Sequence, residues 1–169
     1  MPCSVTSIGV SAFANSKLSS ISGDAVTVLD NGAFENCSSL VTVDTPAVEH
    51  IGNRCFKNCS KLTSIDFSQN VSEIGAAAFA FTSLSTADFR NATIGSSAFE
   101  GSKVVVARLD KAESLERTFC ECEFLNSVTA LNLKYIGDFA FYNCKSLTGT
   151  VPFDSTKTDV VWLIIQQDI

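Results

Sequence analysis

The stretch "GAFENCSSLVTVD", residues 32–44, returns 22 positions later as "RCFKNCSKLTSIDF", residues 54–67, with its apolar letters in place. The repetition runs through most of the chain. Phe13, Phe34, Phe56, Phe79, Phe99, Phe119 and Phe141 recur at steps of 21, 22, 23, 20, 20 and 22 residues. Each follows a small residue: Ala12, Ala33, Cys55, Ala78, Ala98, Thr118 and Ala140. Three positions after each stands Ser16, Cys37, Cys59, Thr82, Ser102, Cys122 or Cys144. Such columns arise when units stack in register, because only a stack offers the same crowded site to the same letter in every turn. A period of this length therefore reads as a solenoid.

Within the unit "IGNRCFKNCSKLTSIDFSQNVSE", residues 51–73, Ile65 and Phe67 alternate with polar residues, the period of a short half-buried strand. Ile51, Cys55, Phe56 and Cys59 fall at spacings of three and four, which place them on one face of a short helical turn. Gly52 stands between the two, as do Gly9, Gly75, Gly95 and Gly137 in their units, where a permissive backbone suits a change of direction. The expected fold is an α/β solenoid with a concave parallel β-sheet and short helical turns on the convex side. About seven repeats of 20–23 residues fill residues 1–154.

The ends depart from the frame. "SVTSIG" begins inside a unit, so the first coil is expected to expose its apolar face, which a cap normally covers. At the other end, residues 155–169 fit no unit. Their "VVWLII", residues 160–165, reads either as a last strand with Trp162 as a plug or as unrelated sequence, and both readings stay open.

Residues 62–81, "LTSIDFSQNVSEIGAAAFAF", resemble the BspA-like leucine-rich repeat, whose pattern runs Leu-x-x-Ile-x-(Ile/Leu)-Pro-x-x-(Val)-x-x-Ile-Gly-x-x-Ala-Phe-x-x-Cys. The resemblance covers residues 5–153. It implies a right-handed leucine-rich-repeat solenoid and a surface or secreted protein used in attachment. Two departures stand out: proline after the strand survives only as Pro46 and Pro152, and the sixth unit, "ESLERTFCEC", lacks Ile-Gly. Local irregularity is expected there.

A chain of 169 residues that is 46% hydrophobic can bury a sizeable core, and its length suits one domain. A net charge of −6 disfavours nucleic acid, which requires a basic stripe, and makes a basic partner electrostatically easier. No secretory signal is visible at the N-terminus, and no apolar run approaches the ~20 residues of a membrane helix. The resemblance points to the cell surface or secretion; the missing signal and unpaired thiols point to the cytoplasm. Oligomeric state is not legible.

Few residues suggest chemistry. Cys37, Cys59, Cys122 and Cys144 share a column with Ser and Thr, an exchange that a disulfide or thiolate ligand would not tolerate and that a packed, hydrogen-bonding small group would. Cys3 and Cys120 read as exposed thiols. His50 is the only histidine and sits at a solvent-facing position shared with Glu73 and Tyr135, so no nucleophile and base come together. No catalytic residue, metal ligand or cofactor is expected. Asn15, Asn36, Asn58 and Asn143, two residues after Phe, suit the end of a turn.

The outward side of the strands is the candidate site. With Ile65 and Phe67 inward, Ser64, Asp66 and Ser68 face out, and Asp44 and Asp88 fall in the column of Asp66. The column continues as Arg108, Thr129 and Pro152, with Ser22 at its other end and Arg90 and Asp110 beside it. Parallel strands ~4.8 Å apart would stack the carboxylates as a ladder. Thr42, Asp44, Ser64, Asp66, Thr86, Asp88, Arg108 and Asp110 are therefore the expected partner-binding residues of a non-enzymatic protein-binding scaffold. Solvation of an exposed strand is the competing explanation of the same row.

Overall fold

The structure is a computed structural model and describes residues 4–67 and 69–148. The expectations about Cys3, Ser68, Pro152, Trp162 and the segment 155–169 lie outside those residues. In chain order the strands are β1 (Ser7–Ile8), β2 (Ser20–Ser22), β3 (Val28–Leu29), β4 (Thr42–Asp44), β5 (His50–Ile51), β6 (Ser64–Asp66), β7 (Glu73–Ile74), β8 (Thr86–Asp88), β9 (Thr93–Ile94), β10 (Val106–Arg108), β11 (Ser114–Leu115), β12 (Ser127–Thr129) and β13 (Tyr135–Ile136). Two- and three-residue strands alternate, and every pairing is parallel. The three-residue strands form the sheets β2-β4-β6 and β8-β10-β12; the two-residue strands form β1-β3-β5-β7-β9 and β11-β13. Each coil thus carries a second strand, one that includes Ile51, where the sequence suggested only a turn.

No helix occurs among the described residues, which corrects the expected helical turns. The segment around each Phe is a ribbon of successive tight turns. Ala12, Ala14 and Ser16 donate their N–H groups three residues back, to Gly9, Ser11 and Phe13, while Ser11, Phe13 and Asn15 donate to Asn31, Ala33 and Glu35 of the next coil. The same alternation continues through the coil of Phe119, whose ribbon donates to Asp138, Ala140 and Tyr142. A helix would turn every donor onto its own chain. Here alternate donors point along the stack, which requires a left-handed backbone at the residues two before and two after every Phe. Those positions hold all the positive-φ residues: Asn15, Asn36, Asn58 and Asn143 among them, but also Arg54, Ala77, Phe81 and Glu121. The asparagines add a side-chain ladder, Asn58 Nδ2 donating to Asn36 Oδ1 at 2.8 Å and Asn36 Nδ2 to Asn15 Oδ1 at 3.1 Å.

The core is the stack itself. The seven phenylalanine rings lie face to face with centroids 5.3–5.8 Å apart, and Phe34, Phe56, Phe79, Phe99 and Phe119 are fully buried. Burying such a ring stabilises by roughly 1.5–3 kcal/mol. The cysteine column packs beside it as expected. Cys37, Cys59, Cys122 and Cys144 each donate Sγ–H to the carbonyl of Phe13, Phe34, Phe99 and Phe119, one coil earlier, at 2.9–3.1 Å.

The glycines before the ribbon serve a different purpose from the one expected. Gly52, Gly75 and Gly95 have no left-handed φ; a Cβ at Gly75 would lie 2.5 Å from the Asn53 nitrogen and 2.6 Å from the Gly52 carbonyl carbon. Glycine is selected by the close approach of the preceding coil. The sixth unit, which has one residue fewer between Leu115 and Phe119 and no glycine, is where the two-residue ladder ends at β9 and restarts at β11, so the irregularity expected there is present. Asp30 occupies the glycine's place in the second coil and keeps its bond to Ile8 at 2.9 Å.

Candidate binding surface

The three-residue strands bury their central residue and turn the flanking two outward: Val43 is buried between exposed Thr42 and Asp44, and Ile65 packs against the core between exposed Ser64 and Asp66. Pairing places Ser22, Asp44 and Asp66 in one row and Ser20, Thr42 and Ser64 in another. Across β8-β10-β12 the rows are Asp88, Arg108, Thr129 and Thr86, Val106, Ser127. The column read from the sequence is therefore present, but no ladder joins β6 to β8, so the three carboxylates are not one continuous row.

The two halves differ electrostatically. Asp44 and Asp66 face each other on adjacent strands, an arrangement that costs a few tenths to ~1 kcal/mol. Asp88 is instead clamped by Arg90, whose Nε and Nη2 donate to Oδ1 and Oδ2 at 2.9 Å each, and Arg108 Nη1 lies 3.8 Å from the same carboxylate. The hydrogen bond to Asp88, then its charge, hold the Arg90 guanidinium still more firmly protonated. Asp110 sits half-buried beyond this pair, its backbone carbonyl accepting from Asn132 Nδ2 at 2.7 Å. The surface thus passes from an acidic pair with hydroxyl neighbours to a charge-balanced cluster. The sequence marked Arg90 only as a flanking residue; the signal was its spacing of two from Asp88, which returns a side chain to the same side of an extended chain.

A second exposed surface went unread. Phe139 and Tyr142 meet edge to face at 5.7 Å, the Arg117 guanidinium lies 5.3 Å above the Phe139 ring, and Tyr135 is exposed on the adjoining strand. Arg117 is held from below by Glu100 at 3.1 Å.

The six described thiols are all buried. Cys120, expected to be exposed, is buried beside Arg117. Burial, and then the neighbouring thiols, push Cys59 and Cys144 up to about 12; burial above all pushes Cys122 to about 11 and Cys55 well above the ordinary thiol range. His50 is exposed, 3.5 Å from Glu73 on the paired strand, as its column suggested. Among the described residues no group of three His, Cys, Asp or Glu side chains comes together as a metal site.

This coil frame matches a known family: the BspA type leucine rich repeat region fits residues 1–105 and 112–160 in six copies. The chain belongs to the BspA-type leucine-rich repeat family. Arg108 and Asp110 fall in the gap between the two matched segments. A leucine-rich repeat protein from Bacteroides ovatus ATCC 8483 shares 22% identity with this leucine-rich repeat chain at a TM-score of 0.55, over 85% of it and 51% of that protein. The T. pallidum leucine rich repeat protein TpLRR shares 22% at a TM-score of 0.50, over 85% and 78%. A leucine rich cell surface protein from Faecalibacterium prausnitzii A2-165 shares 18% at 0.41, over 73% and 56%. The chain spans about half the length of the Bacteroides ovatus structure. No curated protein matches it. Repeats of this family generally mediate protein interaction without catalysis.

Proposed function

We propose that this chain is a non-enzymatic attachment module, an adhesin or surface antigen at the cell surface or secreted, that holds a protein partner with a basic surface against the outward side of β2-β4-β6 and β8-β10. The observation that carries the reading is the contrast within one column: Asp88 is neutralised by Arg90, whereas Asp44 and Asp66 stand in register with no salt bridge to either among the described residues. A basic side chain from a partner would relieve that repulsion and gain two carboxylates at once. Thr42 and Ser64 beside them, and Thr86, Arg108 and Asp110 further along, supply polar and charged contacts that fix orientation. Solid-phase binding of the purified chain to a coated extracellular-matrix preparation, titrated with salt, tests this. Asp44→Asn with Asp66→Asn should weaken binding at least tenfold and flatten its salt dependence. Unchanged binding and salt response in that double variant refute the reading.

The alternative, an intracellular module assembling protein partners, draws on the unpaired state of the six described cysteines. Their burial weakens that support, because a thiol packed in the core is shielded from oxidants in any compartment.

A further inference from the structure

We propose that Asn31 is a site of covalent modification, deamidation through the Asn31–Gly32 peptide, and that stacking of the next coil keeps the site closed. Asn31–Gly32 is the one Asn-Gly pair of the sequence. In such a pair the following residue has no Cβ to hinder the approach of its backbone nitrogen to the asparagine side chain. The Gly32 nitrogen attacks Cγ of Asn31 and gives up its proton to water. The new N–Cγ bond closes a cyclic imide as the Cγ–Nδ2 bond breaks, and Nδ2 regains a proton and departs as ammonia. Water then adds to either imide carbonyl, leaving an aspartyl or an isoaspartyl residue at position 31.

The stack opposes each movement that this step requires. Asn31 is exposed, so water reaches its amide. Yet the Gly32 N–H donates to the Asn53 carbonyl at 2.9 Å, and Asn31 Oδ1 accepts from the Asn53 N–H at 2.7 Å. The attack has to break both bonds, and both belong to one residue of the next coil. On the other side the Asn31 carbonyl accepts from the Ser11 N–H at 2.9 Å, so the reacting peptide is fixed by both neighbours. Reaction therefore proceeds from the fraction of molecules in which the coil of Phe56 has parted from the coil of Phe34, and its rate follows that population when reclosing is fast. The isoaspartyl product carries an extra methylene in the main chain, which displaces the Asn31 carbonyl and the Gly32 N–H from their partners. Its new carboxylate also stands beside Asp30, whose Oδ1 accepts from the Asn31 N–H at 2.8 Å. A coil that reacts while open is thereby kept from restacking, and position 31 records that the array has parted there.

Peptide mapping by mass spectrometry of the full chain, aged near neutral pH with and without urea, tests this through the mass gained when the amide becomes an acid. The expected result is conversion at Asn31 in the urea-unfolded chain and conversion at least about tenfold slower in the folded one. Gly52→Ala sets a Cβ 2.6 Å from the Asn31 nitrogen and 2.7 Å from the Asp30 carbonyl carbon, which forces those two coils apart, and it should speed conversion in the folded chain about tenfold. Gly75→Ala applies the same strain between the coils of Phe56 and Phe79 and should leave the rate near that of the parent. Equal rates at Asn31 in the folded and unfolded parent overturn the proposal, as does an Asn31 that stays unreacted in urea; both readings need only the parent chain, so they hold should a variant fold poorly. An unaltered rate in Gly52→Ala also overturns it. So does equal acceleration by Gly75→Ala, which assigns the reaction to global unfolding.

Discussion

Gly75→Ala tests the stack directly. Its Cβ would lie 2.5 Å from the Asn53 nitrogen, against at least 3.4 Å in an ordinary contact, so two backbones must part by close to 1 Å. Three bonds cross that gap: Gly75 N–H to Ile51 O at 2.8 Å, Ala76 N–H to Asn53 Oδ1 at 2.7 Å and Arg54 N–H to Ala76 O at 2.8 Å. At about 0.5–1.5 kcal/mol net for each, and with part of the dispersion contact between coils forfeited, the expected loss is roughly 2–4 kcal/mol. In a chain of this size that lowers the melting temperature by roughly 5–15 °C. Gly9 occupies the same place in the first coil with nothing within 4 Å of its Cβ, so Gly9→Ala should stay within about 0.5 kcal/mol of the parent. Urea and thermal unfolding followed by circular dichroism compare the two. Equal effects would show that close approach of the coils is not what selects glycine.

Three further outcomes are expected. Replacing Glu121, which holds φ at 62° without the tolerance of asparagine, by Asn should stabilise by about 0.5–1.5 kcal/mol in urea unfolding, whereas Asn36→Ala at the same φ should cost about as much. Asp66→Asn should raise the urea midpoint slightly by relieving repulsion from Asp44, an effect that added salt removes, while Asp88→Asn should lower it by up to ~1 kcal/mol through loss of the Arg90 clamp. Because the folded pKa values of Cys59, Cys122 and Cys144 lie above those of the unfolded chain, the unfolded state loses protons first. Stability should therefore hold up to about pH 8 and fall between pH 9 and 12, by at most ~1.4 kcal/mol per pH unit for each thiol, and Cys59→Ser should shallow that fall.

The stacking was legible because each coil repeats one crowded environment: the Phe, small-residue and Cys columns could only be shared sites. The ribbon was not, because apolar spacings of three and four around Phe56 suit a helix and a run of tight turns equally. The distinguishing signal lay in the column two after Phe, where Asn15, Asn36, Asn58, Gly101 and Asn143 favour a left-handed backbone. Phe81 and Glu121 mask it, since bonding between coils overrides their own preference. On the surface, alternation along β4 and β6 foretold that Asp44 and Asp66 point outward. The separation of Asp88 depends on Arg90 and on a gap between β6 and β8, and neither is written in the repeat.

The ribbon's hydrogen bonds carry a physical consequence at long range. The carbonyl of Ala33 and the N–H of Phe34 belong to one peptide unit, the first bonded to the coil before and the second to the coil after, and every ribbon repeats that arrangement in three parallel files. Peptide dipoles of ~3.5 D therefore add along the axis of the solenoid as they do along a helix, although the chain itself runs across that axis. Among the described coils, the side toward Phe13 is the negative pole and the side toward Phe141 the positive one. A repeat array built this way is an electret whose moment grows with each coil, while a charge placed at either pole senses chiefly the unbonded groups of the coil nearest to it.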